Sequence, residues 1–218
     1  MESAAPPLIL FVVGPPAVGK MSVAQAIAER TGLRLFHNHI SIETALRYFD
    51  YGTPAFHRIS GSIRRQIVEE VAASDLPGLV FTFVWAFDLP EDQDTVDEYA
   101  RPFRERGGRV LFLELEASQA ERLRRNVGAS RLAEKASKRD LEASRRNLLE
   151  LDAKYRLNSG GVFDDREDWL RIDNTRLEPA EVAERAIKHF LLTPAECWLP
   201  GLTRRTESFR SRGRRFGR

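Results

Sequence analysis

Residues 14–20 read Gly-Pro-Pro-Ala-Val-Gly-Lys, two glycines separated by four residues and followed at once by a lysine. Between an apolar strand and a helix, this pattern turns backbone N–H groups inward onto a phosphate, and the helix N-terminus adds positive potential. Gly14 and Gly19 take backbone angles that a Cβ would forbid. Lys20 then reaches the β- and γ-phosphates of a nucleotide. The expected contact set is the whole turn: Gly14, Pro15, Pro16, Ala17, Val18, Gly19, Lys20, Met21 and Ser22. Met21 stands where such loops carry Ser or Thr, and its thioether is too soft for Mg²⁺. Ser22 is the candidate substitute. One residue onward turns a side chain by about 100° around the helix, so its hydroxyl is expected to meet the metal through water.

Other residues could act on a second substrate. His37 and His39, at i and i+2 on what reads as extended chain, would project to one face at the carboxyl end of a strand. A neutral imidazole there could take a proton from an acceptor hydroxyl. An ordinary polar contact at a strand end is the competing reading, and a zinc pair is a third, with no further ligand nearby. Asp88, closing "VWAFD", could hold the water shell of Mg²⁺ or orient an acceptor, or it could cap the helix starting near Pro90. Trp85 and Phe87 suit either an acceptor pocket or buried packing. Residues 122–139, "RLRRNVGASRLAEKASKR", hold five arginines and two lysines around a Gly-Ala-Ser centre. Such a segment reads as a lid whose cations close over a phosphoryl group, or as a solvated basic face.

The elements that must position these groups follow from hydropathy. "PLILFVV" (7–13) is continuously apolar, as in a strand covered on both faces. A helix from Lys20 carries Val23, Ala26 and Ile27 on one face and stops at Gly32. Further strands are predicted at 33–37, 79–87, 109–115 and 168–173. Two helices fall between the second and third strands, the latter opening at Thr53-Pro54 with Phe56, Ile59, Ile63, Ile67 and Val71 as its buried stripe. Ser118 with Glu121 forms a capping box, as do Ser137 and Asp140. A last helix spans 179–192. Five strands alternating with helices imply an α/β fold, a three-layer open parallel sheet with order 2-3-1-4-5, whose ligands sit beyond the carboxyl ends of the strands.

"GPPAVGKMS" resembles the G-x-P-G-x-G-K-G-T loop of adenylate kinases, with Ala17 and Met21 replacing glycines. The resemblance spans about 190 residues and points to the nucleoside-monophosphate-kinase and shikimate-kinase-like group of P-loop small-molecule kinases. "FHNHISIE" (36–43) falls where shikimate kinases carry D-x-D-x-x-I-E, with His37 and His39 in the carboxylate positions. "GTPAF" (52–56) resembles their G-x-x-x-F, with His57 replacing the following arginine and Arg58 next to it. No glycine triplet follows the third strand, so shikimate is not the expected acceptor. Arg131-Leu132 resembles the lid R-P-L, Arg124 or Arg125 the arginine that stacks on adenine, and Asn174 in "RIDNT" the purine loop. The resemblance implies ATP and Mg²⁺ as cofactors; taken with the residue readings above, the expected catalytic groups are Lys20 and Arg131 on the transferring phosphoryl group with His39 or Asp88 handling the acceptor, and His37, His39, Arg58 and Trp85 are expected around it.

At 218 residues and 42% hydrophobic composition, one domain with a real core fits the chain, expected over 1–192. No apolar run approaches the roughly 20 residues of a bilayer span, and no basic leader precedes the first strand, so a cytoplasmic protein is expected. Cys197, the single cysteine, cannot form an internal disulfide. Residues 201–218 carry seven arginines and one glutamate, which leaves the rest net negative. That tail, 193–218, reads as disordered, with nucleic acid as a conceivable partner. The leading expectation is a kinase for a small metabolite or antibiotic. A non-catalytic ATP-dependent switch and a nucleic-acid end kinase are the alternatives.

Overall fold

β1 (Leu8–Val13) is buried along its whole length, because it lies in the middle of a sheet covered on both sides. It pairs in parallel with β3 (Gly78–Thr82) on one side and β4 (Arg109–Glu116) on the other, Leu10 lying opposite both Val80 and Leu111. β2 (Arg34–His37) adds outside β3, and β5 (Trp169–Asp173) outside β4, giving the predicted order β2-β3-β1-β4-β5. The computed structural model describes residues 6–127 and 141–195. The segment with Arg131, the Ser137–Asp140 capping pair, Cys197 and most of the arginine tail lie outside them.

Side-chain alternation along β1 sorts the core into two layers. Leu8, Leu10 and Val12 pack with Val23 and Ile27 of α1 (Lys20–Thr31) and with a helix late in the chain, α7 (Pro179–His189). Ile9, Phe11 and Val13 face α3 (Pro54–Ala73) and α4 (Pro90–Arg104). Helices on both faces make the three-layer α/β arrangement. The remaining described helices are α2 (His39–Leu46), α5 (Gln119–Asn126) and α6 (Leu141–Lys154).

Several boundaries differ from the sequence expectation. β3 stops at Thr82 instead of Phe87, because the chain bends away to carry Trp85 and Phe87 into an aromatic cluster with Phe112, Phe163 and Trp169. Of the expected stripe in α3, Phe56 and Val71 are buried and Ile63 packs against the core, but Ile59 and Ile67 are 41% and 39% exposed. Ser60, Val68 and Ala72 are buried as well, and with Phe56 they form a ridge advancing four residues at a time with Arg64 at its centre. Thr53 caps this helix as expected, its Oγ1 accepting from the Phe56 N–H at 3.2 Å. The Ser118 capping box is half made. Ser118 accepts from the Glu121 N–H, but its own N–H donates to Thr175 Oγ1 and the Glu121 carboxylate is taken by two arginines.

Two buried polar groups set how α5 and α6 join the sheet. Arg122 forms a two-pronged ion pair with Asp152, at 2.9 and 2.6 Å, with both side chains almost wholly enclosed. Ser144 Oγ donates to Asn126 Oδ1 at 3.1 Å, joining the end of α5 to the first turn of α6. Glu114, fully buried in β4, accepts from the Ser159 N–H and Oγ, from Asn158 Nδ2 and from Trp169 Nε1, so each carboxylate oxygen has two donors.

Candidate active site

The carboxyl ends of β1, β2 and β3 open into one cleft of ≈ 1120 Å³. Its floor is the turn between β1 and α1. Gly14 has φ +132°, and a Cβ there would lie 2.3 Å from the Leu115 carbonyl oxygen, so the turn is pressed against β4 and only glycine fits. Asn158 Nδ2 donates to that same carbonyl at 3.1 Å. Gly19 has φ +106° and stands directly before α1. Ala17 also has a positive φ, +62°, although it bears a Cβ. The turn therefore keeps the conformation of a glycine-rich loop at a position where this chain has alanine.

Lys20 folds over the turn and donates from Nζ to the Gly14 and Pro15 carbonyl oxygens at 2.6 and 2.8 Å. Pro15 and Pro16 have no N–H, so the backbone donors come from Ala17 onward. Met21 and Ser22 both line the cleft, and Ser22 is exposed.

A second group of side chains grips this loop from above. Arg125 donates from Nη1 to the Val18 carbonyl at 3.0 Å and from Nη2 to the Asn174 and Thr175 carbonyls. Asn174 Nδ2 donates to the same Val18 oxygen at 2.9 Å and is 3% exposed. Arg122 reaches Pro16 O at 3.4 Å. Glu121 holds Arg124 and Arg125 together, and its paired arginines pull its carboxyl down to about 2, the Arg124 bond acting most strongly. Arg124 is otherwise exposed, with its guanidinium at the cleft edge. Of the predicted lid cations, Arg122 is thus a buried structural partner of Asp152. Arg131 lies outside the described residues.

The acceptor side differs more from expectation. His37 ends β2 and His39 begins α2, with Asn38 as the turn between them, so the extended i, i+2 pairing does not occur. The chain turns there because the Asn38 N–H donates to Thr82 Oγ1 at the end of β3. Both imidazoles nevertheless line the cleft. Trp85 does not: it is 3% exposed and its ring stacks on Phe87 with centroids 4.6 Å apart. Arg58 is solvent-exposed on the outer side of α3, and Arg64, two turns later, lines the cleft in its place. Asp88 neither caps α4, whose N-cap is Leu89, nor lines the cleft; its Oδ1 accepts from the Arg156 N–H at 3.0 Å. Asp92, unlike Asp88, does line the cleft, and it accepts from the Ala86 N–H at 2.8 Å. Burial, more than its acidic neighbours Glu91 and Asp88, raises the Asp92 carboxyl above the usual range.

Sequence reasoning therefore missed Arg64, Asp92 and Asn38. The available signals were weak: the four-residue ridge on α3, and an acid in the first turn after Pro90. Asn38 Oδ1 is buried and lacks a hydrogen-bond donor among the described residues, so a ligand hydroxyl would complete it.

No family model matches the sequence, and no curated protein matches it. Solved structures of the same fold include a sugar kinase from Janibacter sp. HTCC2649, 18% identical, covering 87% of this chain and 98% of that one with a TM-score of 0.51. A gluconokinase from Sinorhizobium meliloti 1021 is 17% identical, covers 87% and 94%, and also has a TM-score of 0.51. The APS kinase of Mycobacterium tuberculosis, solved with AMPPNP and APS, is 13% identical and covers 85% and 98% at a TM-score of 0.55. The chain has the fold of the P-loop small-molecule kinases. Among the described residues, no helix is long and apolar enough to cross a membrane.

Proposed function

We propose that the chain is an ATP- and Mg²⁺-dependent phosphotransferase that moves the γ-phosphoryl group to a hydroxyl or phosphate of a small acceptor. One observation carries this reading: a single cleft runs from the Gly14–Lys20 turn to His37, His39 and Asp92, so two substrates can meet end to end. The backbone N–H groups from Ala17 to Lys20 bind the phosphates, and the α1 N-terminus favours their charge. Phosphate oxygens compete for the three N–H donors of Lys20, which now serve loop carbonyls. Arg124 offers its exposed plane to the base, while Arg125 and Asn174 hold the loop. Arg131 keeps the role of a cation closing on the transferring group.

Ser22 fits a Mg²⁺ that arrives with the nucleotide, since its exposed hydroxyl is a hard oxygen donor on the first turn of α1. The described residues hold no group of three His, Cys, Asp or Glu side chains able to cage a metal, so water and phosphate oxygens would supply most of its shell. When bound, the cation neutralises charge on the β- and γ-phosphates. The chain's own part is to aim the acceptor. Its oxygen bonds to the γ-phosphorus as the bond to the β-γ bridging oxygen breaks, and its proton passes to His39 or Asp92. The raised Asp92 carboxyl suits this task, because a base titrating closer to working pH receives a proton more readily.

The test is incubation with ATP, Mg²⁺ and a panel of hydroxylated and phosphorylated metabolites, with products read by mass spectrometry. A phosphorylated product that disappears in Lys20→Met supports the reading. Tight ATP binding with no product from any acceptor would sink it in favour of a nucleotide-operated switch.

A further inference from the structure

Arg64 is the least explained charge in the cleft. It projects from the middle of the inward ridge of α3, between Ser60 and Val68. Its Nε donates to Ser41 Oγ at 2.8 Å, and the Tyr99 hydroxyl is near enough to act on its charge. Ser41 Oγ itself donates to the Asn38 carbonyl at 3.0 Å, which turns its lone pair toward the arginine. A neutral hydroxyl thus holds the guanidinium with a second beside it, and no carboxylate among the described residues pairs with it. Asp92, which shares the cleft, is not among the groups that act on it. Burial pulls the Arg64 guanidinium below its ordinary value, outweighing the opposing effects of Tyr99 and Tyr51. Ile42, Leu46 and Phe56 form the apolar wall nearby.

A half-buried cation without a counter-charge among the described residues still carries a desolvation cost, and a hydrophobic residue of equal size would serve packing better. A guanidinium has five N–H donors in a planar fork that matches a carboxylate or phosphate, and two hydroxyl groups do not exhaust them. The surrounding apolar wall excludes water and strengthens any ionic contact made there. Arg58, in contrast, is exposed and can contribute nothing inside the cleft.

Building on the phosphotransferase reading, we propose that Arg64 is the seat of an anionic group, a carboxylate or a phosphate, on the acceptor molecule. The acceptor class is then an acid or a phosphate ester bearing a transferable site, and neutral sugars and alcohols are poor substrates. Ser41 and Tyr99 are positioning residues that aim the fork.

The experiment is calorimetry on protein saturated with AMPPNP, so that the phosphate loop is filled. Inorganic phosphate and malonate are titrated separately at constant ionic strength. Saturable binding of at least one is expected, weakened at least about tenfold in Arg64→Gln and less in Arg64→Lys. A response to phosphate alone identifies a phosphate seat, and one to malonate alone a carboxylate seat. Melting temperature and AMPPNP affinity, both expected to be near wild type, show that each variant is folded. If Arg64→Gln does not fold, Arg64→Lys and Ser41→Ala give the comparison, each weakening the anion and sparing AMPPNP. No saturable binding of either anion, or binding unchanged by the substitutions, overturns the inference. Failure of the wild type to bind AMPPNP would instead sink the kinase reading, and the malonate titration would still decide whether Arg64 holds an anion.

Discussion

Arg125 and Asn174 converge on one atom, the Val18 carbonyl oxygen, at 3.0 and 2.9 Å. The side chain from α5 and the one that follows β5 therefore brace the Gly14–Lys20 turn from outside, and the turn's shape depends on residues more than a hundred positions away. Truncating Arg125 to alanine leaves the Val18 carbonyl with Asn174 alone and removes the donor to the Asn174 and Thr175 carbonyls. Three hydrogen bonds from a charged donor are lost, each contributing about 1.5–3 kcal/mol at most. We expect ATP affinity to fall at least tenfold by calorimetry. Arg124→Ala, which removes an exposed plane and its pair with Glu121 but no bond to the turn, should cost less than Arg125→Ala.

Asp152→Ala should be among the most destabilising substitutions outside the apolar core. It leaves Arg122 enclosed without its partner, and breaking a buried pair typically costs about 3–5 kcal/mol. In a domain of this size the melting temperature should drop by roughly 10 °C. A melting curve within about 2 °C of wild type would show that Arg122 finds another acceptor, for which the Ala117 and Pro16 carbonyls are at hand.

Ala17→Gly should stabilise the protein. Alanine at φ +62° carries a left-handed penalty of about 1–2 kcal/mol that glycine avoids, offset in part by the greater freedom of glycine when unfolded. A net gain of up to about 1 kcal/mol is expected in chemical denaturation, with ATP binding retained.

Asp92→Asn separates stability from catalysis. The folded-state pKa of Asp92 is raised by burial, so holding it ionised disfavours the native state at neutral pH, and that penalty fades as pH falls through the folded value. The asparagine variant keeps an oxygen for the Ala86 N–H but has no charge to bury. Its melting temperature should equal or exceed wild type at pH 7–8, and the gain should vanish near pH 4. Phosphoryl transfer should fall by a factor of about 100 or more if Asp92 receives the proton. Normal turnover in this variant would leave His39 as the base.

Much of the sheet could be read from the chain because each strand is a short apolar run with its own punctuation, and β1, buried on both faces, is the clearest case. The tight turn between β1 and α1 was equally legible as a shape, since its glycines, lysine and neighbours are local. Elements facing the cleft resisted the same logic. On α3 the positions that point inward include Ser60 and Arg64, which line the cleft instead of the apolar core, and a search for apolar periodicity passed over them to the exposed Ile59 and Ile67. Trp85 and Asp88 were drawn to the site by lying near the end of a strand. The strand ends earlier, at Thr82, and the bend after it buries the first and turns the second toward Arg156. His37 and His39 reach the cleft by way of a turn that only the Asn38–Thr82 contact explains, and no local pattern encodes that contact.

The bond between Ser144 and Asn126 makes a doorway of the two helix ends it joins. That bond holds the end of α5 to the first turn of α6, so the length of chain connecting them need not alter the register of the sheet. Doubling a loop costs only about 0.6 kcal/mol of closure entropy. Related sequences are thus at liberty to lengthen or shorten this connection without rebuilding the scaffold beneath.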